Sequence, residues 1–548
     1  MFEPPIRIAD PGRRQRIVFI VALILLASAA LRLYQLADPA DYMFDEIYYA
    51  KDAKVIVDNR LGTDGPLPWE AGDEVSWPHP EMGKLAIALG ILAFGDRSFG
   101  WRFPAVVAGL VMLLLVYPIA RRLGLPPPWA LIALGLAAAD PLGIAQSRIA
   151  TLDVFVGVWT VLCIYLGLRY VQDGHKRRML VLSALAGGMA LGTKWSGGLA
   201  VVVVAVILVL VWARDLRAAR RDARAASGEP DDESAPDAGA PGAGDANAAD
   251  HGARHPDESV EAVSFGRSLA RALPSALIAA AILVLIPLAV WFVSYTQYFL
   301  NGHTWSQFVE MQRQALYFNL HLKTTHTYAS PSYTWILDYR PVWYYFNSTP
   351  PVDRGVVAIG NPFLWWLSTL GLVIAFALAL LRRSTLLLPA AIIVALLYFP
   401  WFGASRTSFL YYMTPVAPFM AVLVAGLLLV YAGTETVERR DVVVLAVAGV
   451  GTAVLWDYAG RAAEWLFWTL PGRVSPTLSW VGVGVGIFLA LMVVMAVFLP
   501  RTRPWRPTIA AAVAGATIGI CVAFLPIVIN IPISVGHFYH IMWFRSWI

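Results

Sequence analysis

Residues 13–36 read RRQRIVFIVALILLASAALRLYQL. Arginines lead into an apolar run, Ile17–Leu36, and a helix needs about 20 such residues to cross the hydrocarbon core of a bilayer. The run continues past Ala27-Ser28-Ala29, where a secretory leader would be cut, so it reads as a retained span. Working outward, further apolar runs lie at Phe103–Ala120, Trp129–Ala145, Leu152–Val171, Met179–Thr193, Gly197–Ala213 and Leu273–Val293. Others follow at Phe363–Leu381, Leu386–Phe402, Met413–Tyr431, Val442–Trp456, Val481–Leu499 and Thr508–Ile529. The expectation is an all-α polytopic membrane protein of about 11–13 spans. Composition agrees: 58% of the 548 residues are apolar, 14% are charged, and mean hydropathy is +0.61. An average soluble domain is roughly 45–50% apolar and about 25% charged. A soluble enzyme, a disordered chain and a fibrous protein are therefore excluded.

The loops orient the spans. With the N-terminus inside, Arg121-Arg122, His175-Lys176-Arg177-Arg178, Arg382-Arg383, Arg439-Arg440 and Arg501-Thr502-Arg503 all fall on the cytoplasmic side, as the positive-inside rule requires. The net charge of +5 thus reports topology rather than nucleic-acid binding. Residues 214–268 begin with arginines and continue as an Ala/Gly/Pro/acidic stretch, too polar to offset its ordering entropy, so a disordered cytoplasmic linker is expected there. It divides an N-terminal half, 1–213, from a seventh span with a second outer loop, 269–360, and a C-terminal half, 361–548. The first outer loop covers 37–102. Cys163 and Cys521 both lie inside apolar runs and cannot build a disulfide framework or a metal cluster.

The outer face gathers the polar residues. Asp45 and Glu46 follow the first span within a few positions, and His79-Pro80-Glu81 with Lys84 comes later in the same loop. Arg32, Asp140, Arg148, Asp153, Lys194 and Arg406 sit within or beside the outer ends of spans. Ionisable groups at membrane depth are expensive and point to function. The plainer readings are local ion pairs, and for Lys84 a lead-in turn whose ammonium snorkels to the headgroups. Cations beside a carboxylate suit a lipid-phosphate donor and a general base. Aromatics of the second outer loop, such as Tyr328, Tyr333 and Trp335, serve interface anchoring or sugar stacking equally well. P-loop, Rossmann and zinc signatures are absent from the sequence, which disfavours a pump and a nicotinamide enzyme.

Taken in order, Arg32-Leu33-Tyr34, Phe44-Asp45-Glu46, His79-Pro80 with Lys84, Ser147-Arg148 with Leu152-Asp153, and Gly192-Thr193-Lys194-Trp195 resemble the bacterial polyprenyl-phosphate-mannose-dependent protein O-mannosyltransferases. The resemblance resumes at Gly360-Asn361-Pro362 with Trp365-Trp366, then Arg406 and Phe409 to Tyr412, and ends at Met542-Trp543-Phe544 with Trp547-Ile548. It implies the multispan GT-C glycosyltransferase architecture. It also implies transfer of mannose from a lipid phosphate to Ser or Thr of exported proteins, outside the bacterial cytoplasmic membrane. The family's acidic pair maps onto Asp45 and Glu46, and its essential arginines onto Arg32 and Arg148. Two departures stand out: the histidine motif reads His-Pro-Glu where the family usually has a second proline, and the second outer loop is too short for the β-trefoil insert of the eukaryotic relatives.

On this reading Asp45 is the general base that takes the acceptor hydroxyl's proton, and the reaction inverts the anomeric centre. Glu46 orients the acceptor or a cation. Arg148, Lys84 and Arg406 hold the donor phosphate, whose good leaving-group character asks for cations rather than an acid. Arg32, His79, Asp153 and Lys194 support the site, with Arg32 expected to pair with Glu46. The scheme requires no metal or other cofactor. Expected partners are polyprenyl-phosphate mannose, exported Ser/Thr-containing polypeptides, membrane lipids and the export machinery. Another lipid-phosphate-sugar transferase, acting on a glycolipid or wall glycan, has the same composition. A transporter or flippase would instead carry internal repeats and broken midplane helices.

Overall fold

The computed structural model describes residues 4–5, 8–60, 78–227, 258–469 and 504–548. Helix α1 (Pro11–Leu33) starts at Asp10, whose side chain accepts from the Gly12 N–H, with proline in the first turn. Most of its apolar residues are exposed, Val18, Phe19, Leu23 and Leu26 among them, which is the surface a lipid-facing helix presents. The expected first outer loop folds as α2 (Glu46–Arg60) and α3 (Met82–Phe94), and α4 (Ser98–Arg122) is long and apolar enough to cross the membrane. Then come α5 (Pro127–Ala138), α6 (Pro141–Gln146), α7 (Leu152–Gln172), α8 (Arg177–Leu191) and α9 (Leu199–Ser227).

Helix α10 (Glu258–Val293) leads to the expected second outer loop, which holds α11 (Thr296–Leu300), α12 (Trp305–His321), β1 (Val342–Thr349) and β2 (Val352–Ala358). Helices α13 (Pro362–Leu380), α14 (Leu388–Tyr398), α15 (Ala417–Ala432), α16 (Arg439–Thr469) and α17 (Arg506–Val528) follow, before β3 (Ile533–Ser534) and α18 (Val535–Ile541).

Among the described residues, seven helices are long and apolar enough to cross a membrane, and shorter apolar helices at Met82–Phe94, Pro127–Ala138, Leu388–Gly403 and Ala417–Ala432 pack with them. The expected span Trp129–Ala145 breaks: α5 stops at Ala138, and Asp140-Pro141 opens the short α6. Proline has no N–H for the helix ladder and clashes with the preceding turn. The expected span Met179–Thr193 is the 15-residue α8, and Leu386–Phe402 is the 11-residue α14 followed by a 3-10 turn. Irregular backbone at membrane depth is tolerated where protein rather than lipid surrounds it. The break at Asp140-Pro141 illustrates this, both residues being buried. The expected span Val481–Leu499 lies outside the described residues.

Two further expectations change. Helix α9 runs on to Ser227 and α10 begins at Glu258, so both flanks of the expected linker 214–268 are helical. Alanine and arginine, abundant at 214–227, are strong helix formers. Residues 228–257 lie outside the described residues. The fold is also not purely helical. Strands β1, β2 and β3 form a small antiparallel sheet, in which Val352 and Asp353 of β2 pair with Ser534 and Ile533. The run Val342-Trp343-Tyr344-Tyr345-Phe346 is the β-branched and aromatic type that favours a pleated surface. The sheet ties the second outer loop to the C-terminal segment and carries Tyr344 to the site.

Candidate active site

The two adjacent carboxylates have opposite environments. Glu46 is fully buried. Its oxygens accept from the Met43 and Ala150 N–H groups, both at 2.9 Å. Arg102 adds a two-pronged ion pair, Nε to Oε1 and Nη2 to Oε2, again 2.9 Å each. The remaining Arg102 donors go to the carbonyls of Leu36, Pro39 and Asp41. Arg102 therefore commits every donor of its fork, and it folds the turn 36–46 down onto α4. Glu46 is a clamp with no free lone pair aimed at an acceptor, and its partner is Arg102 rather than Arg32.

Asp45 precedes it and points elsewhere. The backbone turns at Phe44, which adopts φ +46°, a region costly for a bulky side chain. Aromatic packing holds it there: the Phe44 ring lies 5.1 Å from Tyr344, 5.9 Å from Tyr411, 6.0 Å from His326 and 6.4 Å from Phe409. Asp45 receives a hydrogen bond from the Tyr411 side chain and stands within electrostatic reach of Lys194 and Asp153. Burial raises its carboxyl to about 7, Lys194 pulls it down and Asp153 pushes it up. A carboxylate that titrates near neutrality is matched to general-base work.

Lys194 is positioned from two sides. Its Nζ lies 3.0 and 3.2 Å from the Asp153 oxygens and 3.9 Å from the Tyr412 ring centroid, a cation–π contact. His79 is buried beside Tyr49; burial and then Lys194, Arg406 and Lys84 hold it well below the usual histidine range, so it is neutral at pH 7. A groove of about 530 Å³ runs from Lys194 along Trp195, Leu199, Val202 and Trp401 to Arg406. Arg406 is half-buried. It donates to Asn319 Oδ1 and to the Thr407 carbonyl at 3.3 Å.

Asp45, Asp153, Lys194, His79 and Arg406 thus converge. The other expected phosphate ligands do not. Arg148 is buried and donates through Nη1 to the carbonyls of Leu31, Arg32 and Tyr34 at 3.0, 2.9 and 2.6 Å, and through Nη2 to that of Ile529. It caps the orphan carbonyls at the end of α1. Lys84 is fully buried between Asp52 and Glu81, 3.1 Å from each, so its charge is already balanced. Arg32 donates to the Ser28 and Gly143 carbonyls.

Arg102, Tyr411 and Tyr412 received no role from the sequence. The available signal for Arg102 was an arginine inside the otherwise apolar run Ser98-Phe99-Gly100-Trp101-Arg102-Phe103. Among the described residues, no three His, Cys, Asp or Glu side chains are grouped to hold a metal ion.

Known proteins match this chain in sequence and in fold. The family described as "Dolichyl-phosphate-mannose-protein mannosyltransferase" matches residues 78–222, and that described as "C-terminal four TMM region of protein-O-mannosyltransferase" matches residues 304–547. A polyprenol-phosphate-mannose–protein mannosyltransferase of Mycobacterium tuberculosis is 25% identical, covering 87% of this chain and 93% of its own. One from Mycolicibacterium smegmatis is also 25% identical, over 84% and 90%. The fold matches the S. cerevisiae protein O-mannosyltransferase Pmt1–Pmt2 complex bound to the sugar donor, with a TM-score of 0.65 at 12% identity, covering 100% of this chain and 95% of that one. With both halves matched and the fold shared, the chain belongs to the protein O-mannosyltransferase family of GT-C membrane glycosyltransferases.

Proposed function

We propose that this enzyme transfers mannose from a polyprenyl-phosphate donor to Ser or Thr hydroxyls of exported polypeptides, at the outer face of the bacterial cytoplasmic membrane. The observation that carries the reading is Asp45, hydrogen-bonded by Tyr411 and within electrostatic reach of Lys194, which lines a groove cationic at Arg406 and apolar along Leu199, Val202 and Trp401. The apolar wall suits a prenyl chain, and Arg406 suits its phosphate, since guanidinium forms strong charge-assisted bonds to phosphate oxygens.

Asp45 accepts the acceptor hydroxyl's proton as that oxygen bonds to the anomeric carbon. The bond from that carbon to the phosphate oxygen breaks with its electron pair leaving on the lipid phosphate. Attack from the face opposite the phosphate inverts the centre. Arg406 and Lys194 stabilise the charge that develops on the leaving group. Lipids of the outer leaflet and the export machinery are the partners that would deliver donor and acceptor. The test is transfer of radiolabelled mannose from the lipid phosphate to a Ser/Thr peptide in proteoliposomes. Labelled peptide and free polyprenyl phosphate are expected. Label passing only to a glycolipid would replace the acceptor class, and the absence of release in any mixture would overturn the reading.

A further inference from the structure

Helix α12 lies in the second outer loop with one face packed and another open. Its inner face places Phe308 and Ala315 in the protein, where Phe308 packs with Tyr295 and Tyr298. A different face carries Trp305, Val309, Leu316 and Leu320, at 61%, 40%, 46% and 54% exposure. Steps of four, seven and four residues put these side chains on one stripe of a helix. Glu310, Arg313 and Gln314 occupy the neighbouring polar face. An amphipathic helix with an exposed apolar stripe is the form that lies in a membrane interface.

What covers the stripe follows from its continuity with the lipid-facing surface. At the end of α10 remote from the linker, Phe292 and Val293 are exposed, and so is Leu300 in α11. Phe292 and Phe299 hold the Trp305 ring at centroid distances of 6.0 and 6.5 Å. The apolar belt of a membrane-crossing helix therefore passes without a gap onto α12.

The far end of α12 is stitched to the groove. Thr407 N–H donates to the Leu322 carbonyl at 2.8 Å and its hydroxyl to the Thr324 carbonyl at 2.7 Å. Asn319 accepts from Arg406 and donates to the Pro78 carbonyl at 2.8 Å, next to His79. We propose that α12 beds its Trp305–Val309–Leu316–Leu320 stripe into the outer leaflet, and that the stitched end sets Arg406 at headgroup depth to meet the donor's phosphate. The second half of this proposal rests on the function given above; the first half does not.

The experiment separates them. Nitroxide labels at Val309→Cys, Leu316→Cys, Glu310→Cys and Gln314→Cys are placed one at a time, in full-length protein carrying Cys163→Ala and Cys521→Ala. The protein is reconstituted in phosphatidylcholine–phosphatidylglycerol vesicles. Oxygen should relax the labels at 309 and 316 more than a water-soluble nickel chelate does, and the order should reverse at 310 and 314. Equal access of the nickel chelate to all four sites overturns the bilayer contact, whatever the enzyme's activity.

In the second arm, Val309→Asp with Leu316→Asp should raise the KM for a long-chain donor in vesicles about tenfold, since two apolar anchors leave the interface. The KM for a short-chain donor dispersed in detergent should stay unchanged. An equal change for both donors, or for neither, overturns the link to Arg406.

Discussion

At the residue scale, separate substitutions tell the proposed base, Asp45, from its neighbour Glu46. Asp45→Asn is nearly isosteric and should lower turnover by about 10²–10⁴-fold, the usual cost of losing a general base. Wild-type turnover should rise with pH through about 7, where burial has moved the Asp45 carboxyl, and the Asn variant should lose that limb. A wild-type profile flat between pH 5.5 and 8 would remove Asp45 from the role.

The same shift has a stability side. Folding raises this carboxyl from 3.8 to about 7, so its charged form opposes the fold. That opposition is absent below about pH 4, grows as pH rises, and is complete above about 7. Asp45→Asn should therefore melt higher than wild type at pH 8 and equally at pH 4, a comparison thermal unfolding in detergent can make.

Glu46 behaves otherwise. Glu46→Gln leaves Arg102 buried without its counter-charge and should cost about 3–5 kcal/mol of stability, read as lost expression and a lower Tm. Adding Arg102→Met should recover part of the loss. For the arginines, Arg406→Ala should raise the donor KM about 10–100-fold, the worth of a charge-assisted hydrogen bond. Arg148→Lys should lower Tm while leaving the donor KM of the folded fraction intact, because the carbonyls at the end of α1 need a fork, not a point charge. The reverse pattern would restore Arg148 as a phosphate ligand.

At the element scale, breaks and close crossings shape the bundle. The interruption at Asp140-Pro141 is matched by Gly360-Asn361-Pro362 on another helix. The Asn361 N–H donates to Asp140 at 2.9 Å, and its side-chain amide donates to the carbonyls of Ala139 and Thr517 at 2.9 and 2.7 Å. Asn361 thus fastens α5, α13 and α17 together where the helix ladder is open. Helices α16 and α17 cross at glycines: a Cβ at Gly515 would land on the Leu445 carbonyl, and one at Gly519 on the Gly449 carbonyl. Small residues let helix backbones approach closely in a membrane. Gly519→Val should force the pair apart and lower Tm by several degrees, whereas a change at Gly451, which faces open space, should not. Equal melting of the two variants would show that the crossing tolerates side chains.

At the scale of the whole molecule, the one-sided basic loops predict that the linker lies inside and both long loops outside. A cysteine at Ala240 should resist an impermeant thiol reagent in intact cells, and one at the exposed Glu310 should react. Reaction at Ala240 alone would invert the topology and move the site to the cytoplasm. Shortening residues 228–257 should leave transfer activity nearly unchanged in membranes, since the composition there cannot build a packed site.

Hydrophobic content alone determined that the chain lives in a bilayer, because about 20 apolar residues in a row have no other solvent. Loop charge determined its expected orientation, and the rarity of ionisable groups near membrane depth singled out Arg32, Asp45, Glu46, Asp140, Arg148, Asp153, Lys194 and Arg406 as a set. Local chemistry could not say which of them is already spent. Glu46 finds Arg102 in another element, Lys84 finds Asp52 across the first outer loop, and Arg148 finds the end of α1. Each of these bonds joins segments that meet only when the helices pack. A charge's availability depends on its neighbours in space, and spacing along the chain reports those only within a helix or a tight turn. Folding therefore decided which cations balance buried carboxylates or cap helix ends, and it left Arg406 half-buried in the groove that Lys194 also lines.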